Sequence, residues 1–187
     1  MNSRVIILLV VIVLVIGGAI SIGALQRNSQ SNTGKTKQIT LTDYAQQDVS
    51  VRFTTEGPIT ANENHTMSII EVSRNTRNYD RYKTYTNTSV QSKTYPNNQT
   101  AFEDLLYGLQ RAGFTSAKNG TSAEDPRGYC PTGSRYTYEL IQNDQVIVSL
   151  WSNSCKTKQA TFNGSDATIQ TLLQRQIPDY ATLSVAK

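Results

Sequence analysis

Apolar side chains are spread very unevenly along this chain. Val, Ile and Leu fill 15 of the 21 positions from 5 to 25, and none of those positions is charged. Wound as an α-helix, that run is about 31 Å long, the thickness of a bilayer's hydrocarbon core. The pattern predicts a transmembrane helix over residues 5–25, behind a short N-terminal tail. A cleaved signal peptide is the rival reading, with Ile22, Gly23 and Ala24 as a possible cleavage site. The run exceeds the usual signal-peptide core of about 7–15 residues, which favours an uncleaved anchor. No cysteine follows it closely enough for lipid attachment. Residues 26–37 are almost wholly polar and predict a flexible linker. Residues 38–187 then remain for one domain, about 150 residues and enough for a single core.

Within that domain the apolar period changes several times. Residues 39–42, 49–55 and 67–72 alternate apolar and polar side chains, as half-buried strands do. Residues 81–95, rich in Tyr and Thr, predict a more exposed strand or pair of strands. Glu56, Gly57 and Pro58 begin a turn that leads into a loop over residues 59–66. Phe102, Leu105, Leu106, Leu109 and Ala112 recur at helical spacing. Thr100 and Glu103 predict a capping box before them, and Gly113 a stop. Residues 118–128 read as a loop. Alternating residues on both sides of Asn143 and Asp144 predict a β-hairpin. A short strand follows near residues 160–162. Ser165 and Asp166 cap a second helix carrying Ile169, Leu172 and Leu173, closed by Pro178. The order of strands, helix, hairpin and helix predicts an α+β domain, two helices covering one face of an antiparallel sheet.

The two cysteines change the picture of where the domain sits. Cys130 lies 13 positions before Asn143 and Cys155 lies 11 after Asp144. Folding the hairpin brings both thiols to its open end, which predicts a disulfide and hence an oxidising compartment. Lysine and arginine placement argues the other way: Arg4 precedes the apolar run, whereas Arg27, Lys35 and Lys37 follow it. Long domains translocate largely regardless of such charges, so the cysteines decide. The expectation is a single-pass protein of the cell membrane, touching the bilayer through residues 5–25, with its C-terminal domain extracytoplasmic. Gly17 with Ser21, and Ala19 with Gly23, are small-residue pairs that allow close helix approach.

Charge adds little. The formal net charge is +4, from 18 basic and 14 acidic residues, which permits an anionic partner without requiring one. Arg74, Arg77, Tyr79, Arg81, Tyr82 and Lys83 interleave cations with flat rings and form the candidate patch for an anionic polymer. Nucleic acid is disfavoured, since Asp80 dilutes the patch and no RNP-type motif is present. The single histidine, His65, falls in a polar loop and reads as solvated. No nucleophile elbow, phosphate-cradling glycine loop or metal-ligand spacing occurs. The expectation is a non-enzyme with no catalytic residue, cofactor or metal. Asn64, Asn87, Asn98, Asn119 and Asn163 each open an N-x-S/T triplet.

Val51, Arg52, Phe53, Thr54, Thr55, Glu56 and Gly57 resemble the strand-then-glycine start of the emfourin-type inhibitors of thermolysin-like metalloproteases. Leu105, Leu106 and Leu109, leading to Ala112, Gly113 and Phe114, are similar to that family's helix and its ending. Tyr136, Tyr138, Glu139 and Leu140, the hairpin turn and the last helix resemble its second half. The likeness covers residues 49–178. Pro58 stands where a second glycine would be, residues 74–97 look inserted, and the cysteines and the anchor are additions. The resemblance implies the same strand–helix–hairpin–helix order and inhibition of an extracytoplasmic protease. Its contact loop would then hold Gly57, Pro58, Ile59, Asn62 and Asn64. The leading expectation is a membrane-anchored, non-catalytic binding domain of unidentified partner, with protease inhibition as the alternative. A pilin-like structural subunit is a further alternative, weakened because the apolar segment has no internal Glu and no Gly-Phe processing site.

Overall fold

A computed structural model describes residues 39–118 and 126–185. Residues 38–187 cluster as one unit. The expected membrane helix over 5–25 and the linker over 26–37 lie outside the described residues. Among the described residues, no helix is long and apolar enough to cross a membrane.

Six strands form one antiparallel sheet: β1 (Val49–Glu56), β2 (Thr66–Ser73), β3 (Thr76–Lys83), β4 (Thr88–Pro96), β5 (Arg135–Gln142) and β6 (Gln145–Asn153). Their order is β4-β3-β2-β1-β5-β6. The longer helices are α1 (Gln99–Arg111) and α2 (Asp166–Gln174), followed by the short α3 (Tyr180–Val185). The α+β class therefore holds, with three α-helices among the described residues where the sequence predicted two for the domain.

The sheet is apolar on one face. Val49, Val51 and Phe53 of β1 bury there with Ile70 and Val72 of β2, Tyr79 of β3, Tyr138 and Leu140 of β5, and Leu150 of β6. Register confirms the shared face, since Phe53 pairs with both Ile70 and Tyr138, and Ile70 pairs with Tyr79. Phe102, Leu105, Leu106 and Leu109 of α1 and Ile169 and Leu173 of α2 complete the core. Each such side chain stabilises the fold by about 1.5–3 kcal/mol relative to exposure. On the opposite face Arg52 sits between two carboxylates, with Nε 2.8 Å from Glu71 and Nη1 3.5 Å from Glu139.

Local signals explain most element ends. In the hairpin turn Asn143 and Asp144 have φ values of 49° and 62°, the two positive angles that a two-residue primed turn requires. Gly113 closes α1 at φ 79°, where Phe114 N–H donates to Leu109 O and Gly113 N–H to Gln110 O. That is the Schellman arrangement, which favours glycine at the left-handed position. The N-cap of α1 is Asn98 rather than Thr100: its Oδ1 accepts from Ala101 N–H at 2.9 Å. Glu103 forms no capping box and accepts instead from Gln99 and Gln46. Residues 39–42, expected as a strand, run into a 3-10 turn (Leu41–Tyr44) that buries Leu41 under α1. Two alternating pairs are too few to distinguish strand from turn. Phe162 N–H donates to Trp151 O and Trp151 N–H to Thr161 Oγ1, so residues 161–162 cover the edge of β6.

Tyrosines tie the layers together. Tyr138 donates to Asp166 Oδ1 at 2.6 Å, and Ser152 Oγ donates to the same oxygen at 2.5 Å, which pins the start of α2 to the sheet. Burial, then the bond to Asp166, raises the Tyr138 pKa above its usual 10.0. Burial also raises Tyr79 and Tyr180, which meet edge-on with centroids 5.8 Å apart. A raised phenol pKa means that folding favours the protonated, neutral form. That contribution is complete below the unfolded value near 10 and is lost as pH climbs through the raised folded values. Far-UV circular dichroism against pH should show a stable fold to about pH 10 and unfolding above it. A Tyr138→Phe variant should begin from a baseline about 1–2 kcal/mol less stable, and its alkaline limb should be shallower.

Candidate functional site

Residues 57–65 join β1 to β2, and all seven residues from 58 to 64 are exposed. Pro58 presets its own φ and offers no N–H, so the strand cannot continue through it. The loop is nonetheless braced from two sides. Ile59 N–H donates to Pro131 O at 2.8 Å, in the segment that carries Cys130. On the other side Tyr85, in the turn between β3 and β4, makes three bonds. Its hydroxyl accepts from Thr60 N–H at 3.2 Å and donates to Thr60 O at 3.1 Å, while its N–H donates to Asn62 Oδ1 at 2.9 Å. The Ile59 side chain, 52% exposed, stands out from this frame.

Beneath the loop lies a charged cluster. His65 is 2% exposed rather than solvated, because the Tyr85 ring stacks on it with centroids 3.9 Å apart. Its Nε2 is 3.5 Å from Glu56 Oε1. Arg135 grips the same carboxylate with both edges of its fork, Nη2–Oε1 at 2.6 Å and Nε–Oε2 at 3.3 Å. His65 Nδ1 is buried with no hydrogen-bond partner. Local polarity suggested an exposed histidine; a tyrosine 20 positions away in sequence buries it. Among the described residues no group of three His, Cys, Asp or Glu is placed to hold a metal.

The disulfide borders the same region. Cys130 and Cys155 are bonded, with Cα atoms 5.7 Å apart. Gly133 packs so closely against it that a Cβ there would collide with Cys130 Sγ and Ser154 Oγ.

The basic and aromatic residues of β3 do not gather on one face, because strand side chains alternate. Tyr79 points to the helices and is 1% exposed. Arg81 lies on that same side. Tyr82 lies on the opposite face, where burial and Asp80 raise its phenol pKa against the opposing effect of Arg52. Arg77 donates Nε and Nη2 to Pro96 O at 3.0 and 2.8 Å. Arg74 sits in the turn between β2 and β3, and Lys83 ends β3 opposite Thr66.

One place does combine the loop with part of that patch. A cleft of about 290 Å³ opens on the helix side of the sheet, lined by Gly57 and Pro58 together with Tyr79 and Arg81. Thr55, Thr66, Met67, Ser68, Ser134, Tyr180 and Ser184 complete its lining. None of these seven was a sequence candidate. A serine or threonine alternating on a strand looks the same in sequence whether it faces a cleft or open water. Ile59, Asn62 and Asn64 lie outside the cleft, and Arg74, Arg77, Tyr82 and Lys83 do not line it. Compared with models of known protein families and with curated proteins, the chain matches none.

Proposed function

We propose that this protein is a non-catalytic binding module, carried on an N-terminal membrane anchor and displayed outside the cytoplasm, whose contact surface is the loop over residues 57–64. The observation that carries the reading is the combination of exposure with bracing. Every residue from 58 to 64 is exposed, yet Pro131 and Tyr85 hold the loop in place through Ile59, Thr60 and Asn62. A loop ordered before it meets its partner avoids much of the entropy cost of binding. The disulfide supports the extracytoplasmic part, since such bonds persist in oxidising compartments.

Inhibition of an extracytoplasmic metalloprotease is a second reading, favoured by one feature. Ile59 presents a large apolar side chain from a constrained backbone, as a segment offered to a protease cleft must. The binding reading is tested by placing a photo-crosslinking residue at Ile59 or at Val146, which is similarly exposed on the distant hairpin. In the full chain in its own membrane, the probe at 59 should give a discrete adduct and the probe at 146 should not. Adding Tyr85→Ala should weaken the adduct several-fold by releasing the brace. Equal labelling from both positions would remove the loop from the proposal. Adding the detergent-solubilised full chain to a thermolysin-type enzyme separates the two readings. The second predicts slowed turnover at micromolar protein, and unchanged turnover rejects it.

A further inference from the structure

The helix-facing side of the sheet changes character one row beyond the core. The last core row crosses β3, β2, β1 and β5 through Tyr79, Ile70, Phe53 and Tyr138. The next row on the same face reads Arg81, Ser68, Thr55 and Tyr136 in the same registers. A row beneath the helices would be apolar if it were core. Here a guanidinium and two hydroxyls stand side by side, and they floor the cleft of about 290 Å³. Tyr180 of α3 reaches the cleft from above, edge-on to Tyr79, and Ser184 follows it one turn later.

We propose that this cleft binds an acidic saccharide, its carboxylate at Arg81 and its ring hydroxyls along Ser68 and Thr55. Serine and threonine hydroxyls both donate and accept, which matches a polyol whose groups also do both. Guanidinium and carboxylate pair through two parallel bonds. Arg81 already has an interaction within the chain, and the five donors of a guanidinium leave room for a carboxylate beside it. A phosphodiester chain is the poorer match, because it recruits several cations and, among the described residues, Arg81 is the one cation that lines the cleft. The volume lies at the lower end of the roughly 300–1,000 Å³ typical of ligand clefts, so one or two sugar units set the scale. This site needs no protein partner and goes beyond the loop contact, sharing only the rim at Gly57 and Pro58.

Equilibrium dialysis of the detergent-solubilised full chain against tetragalacturonate, and separately against its neutral methyl ester, tests the proposal. The acid should bind saturably and about tenfold more tightly than the ester, as expected for one charge-assisted pair. Arg81→Gln should remove that tenfold preference, and Ser68→Ala should weaken both ligands severalfold. If Arg81→Gln lowers the thermal midpoint, Ser184→Trp serves instead: it fills the cleft from the half-exposed side of α3 and should abolish binding of both. Absence of saturable binding at millimolar acid overturns the proposal. So does equal affinity for acid and ester, or binding that survives Ser184→Trp. Ile59 crosslinking should be unaffected by Arg81→Gln, so failure at the cleft and failure at the loop are told apart.

Discussion

Replacing Cys130 with Ser should lower the stability of the domain by about 3–4 kcal/mol. The bond joins residues 25 positions apart, and closing a loop of that length removes about that much chain entropy from the unfolded state. For a domain of this size the thermal midpoint should fall by roughly 10 °C. The effect reaches beyond the two sulfurs, because the same segment braces the candidate loop through Pro131 O and packs Gly133 against the bridge. Thermal unfolding followed by circular dichroism, with and without reductant, measures it. A shift below about 1 kcal/mol would mean that β5, β6 and their neighbours hold the hairpin's open end unaided.

Arg135→Ala should cost about 2–3 kcal/mol. Arg135 is 5% exposed and is bound through both edges of its fork to Glu56, which also faces the buried His65. Breaking a buried pair strands the remaining charge, at about 3–5 kcal/mol when both members are fully buried. The Glu56 side chain is 32% exposed, so water relieves part of that penalty and the lower figure applies. Arg135→Lys keeps the charge but not the two-pronged geometry and should recover only part of the loss. Chemical denaturation gives the ranking directly: wild type, then Lys, then Ala. An Ala variant within about 0.5 kcal/mol of wild type would show that Glu56 is adequately solvated without its partner.

Features encoded over a few residues were legible in the sequence. The turn at Asn143 and Asp144 was readable because few residues other than Asn, Asp and Gly accept two positive φ angles in succession. Ser165 was readable as a cap, and Gly113 as a stop, for equally local reasons. The disulfide followed from hairpin geometry, since arms of 13 and 11 positions bring their ends close together. Features set by distant neighbours were not legible. His65 looked solvated until Tyr85 closed over it. The β3 patch looked continuous in sequence, but alternation divides Tyr79 and Arg81 from Tyr82. Helix α3 has six residues and no strong apolar repeat, yet Tyr180 and Leu183 anchor it to the core. The expected cap Thr100 was displaced by Asn98, two residues earlier, whose Oδ1 accepts from Ala101 N–H. The cleft depends on which row of the sheet the helices leave uncovered, and no window of sequence contains that information.

Loop, clip and cleft have the setting proposed for them only if residues 38–187 lie outside the cytoplasm. An epitope tag placed after Lys187, with protease added to intact cells, reads that placement. Digestion of the tag before lysis is the predicted result. A tag that resists protease until the membrane is broken would place the domain inside and contradict the proposed tethering, oxidation and partner class together.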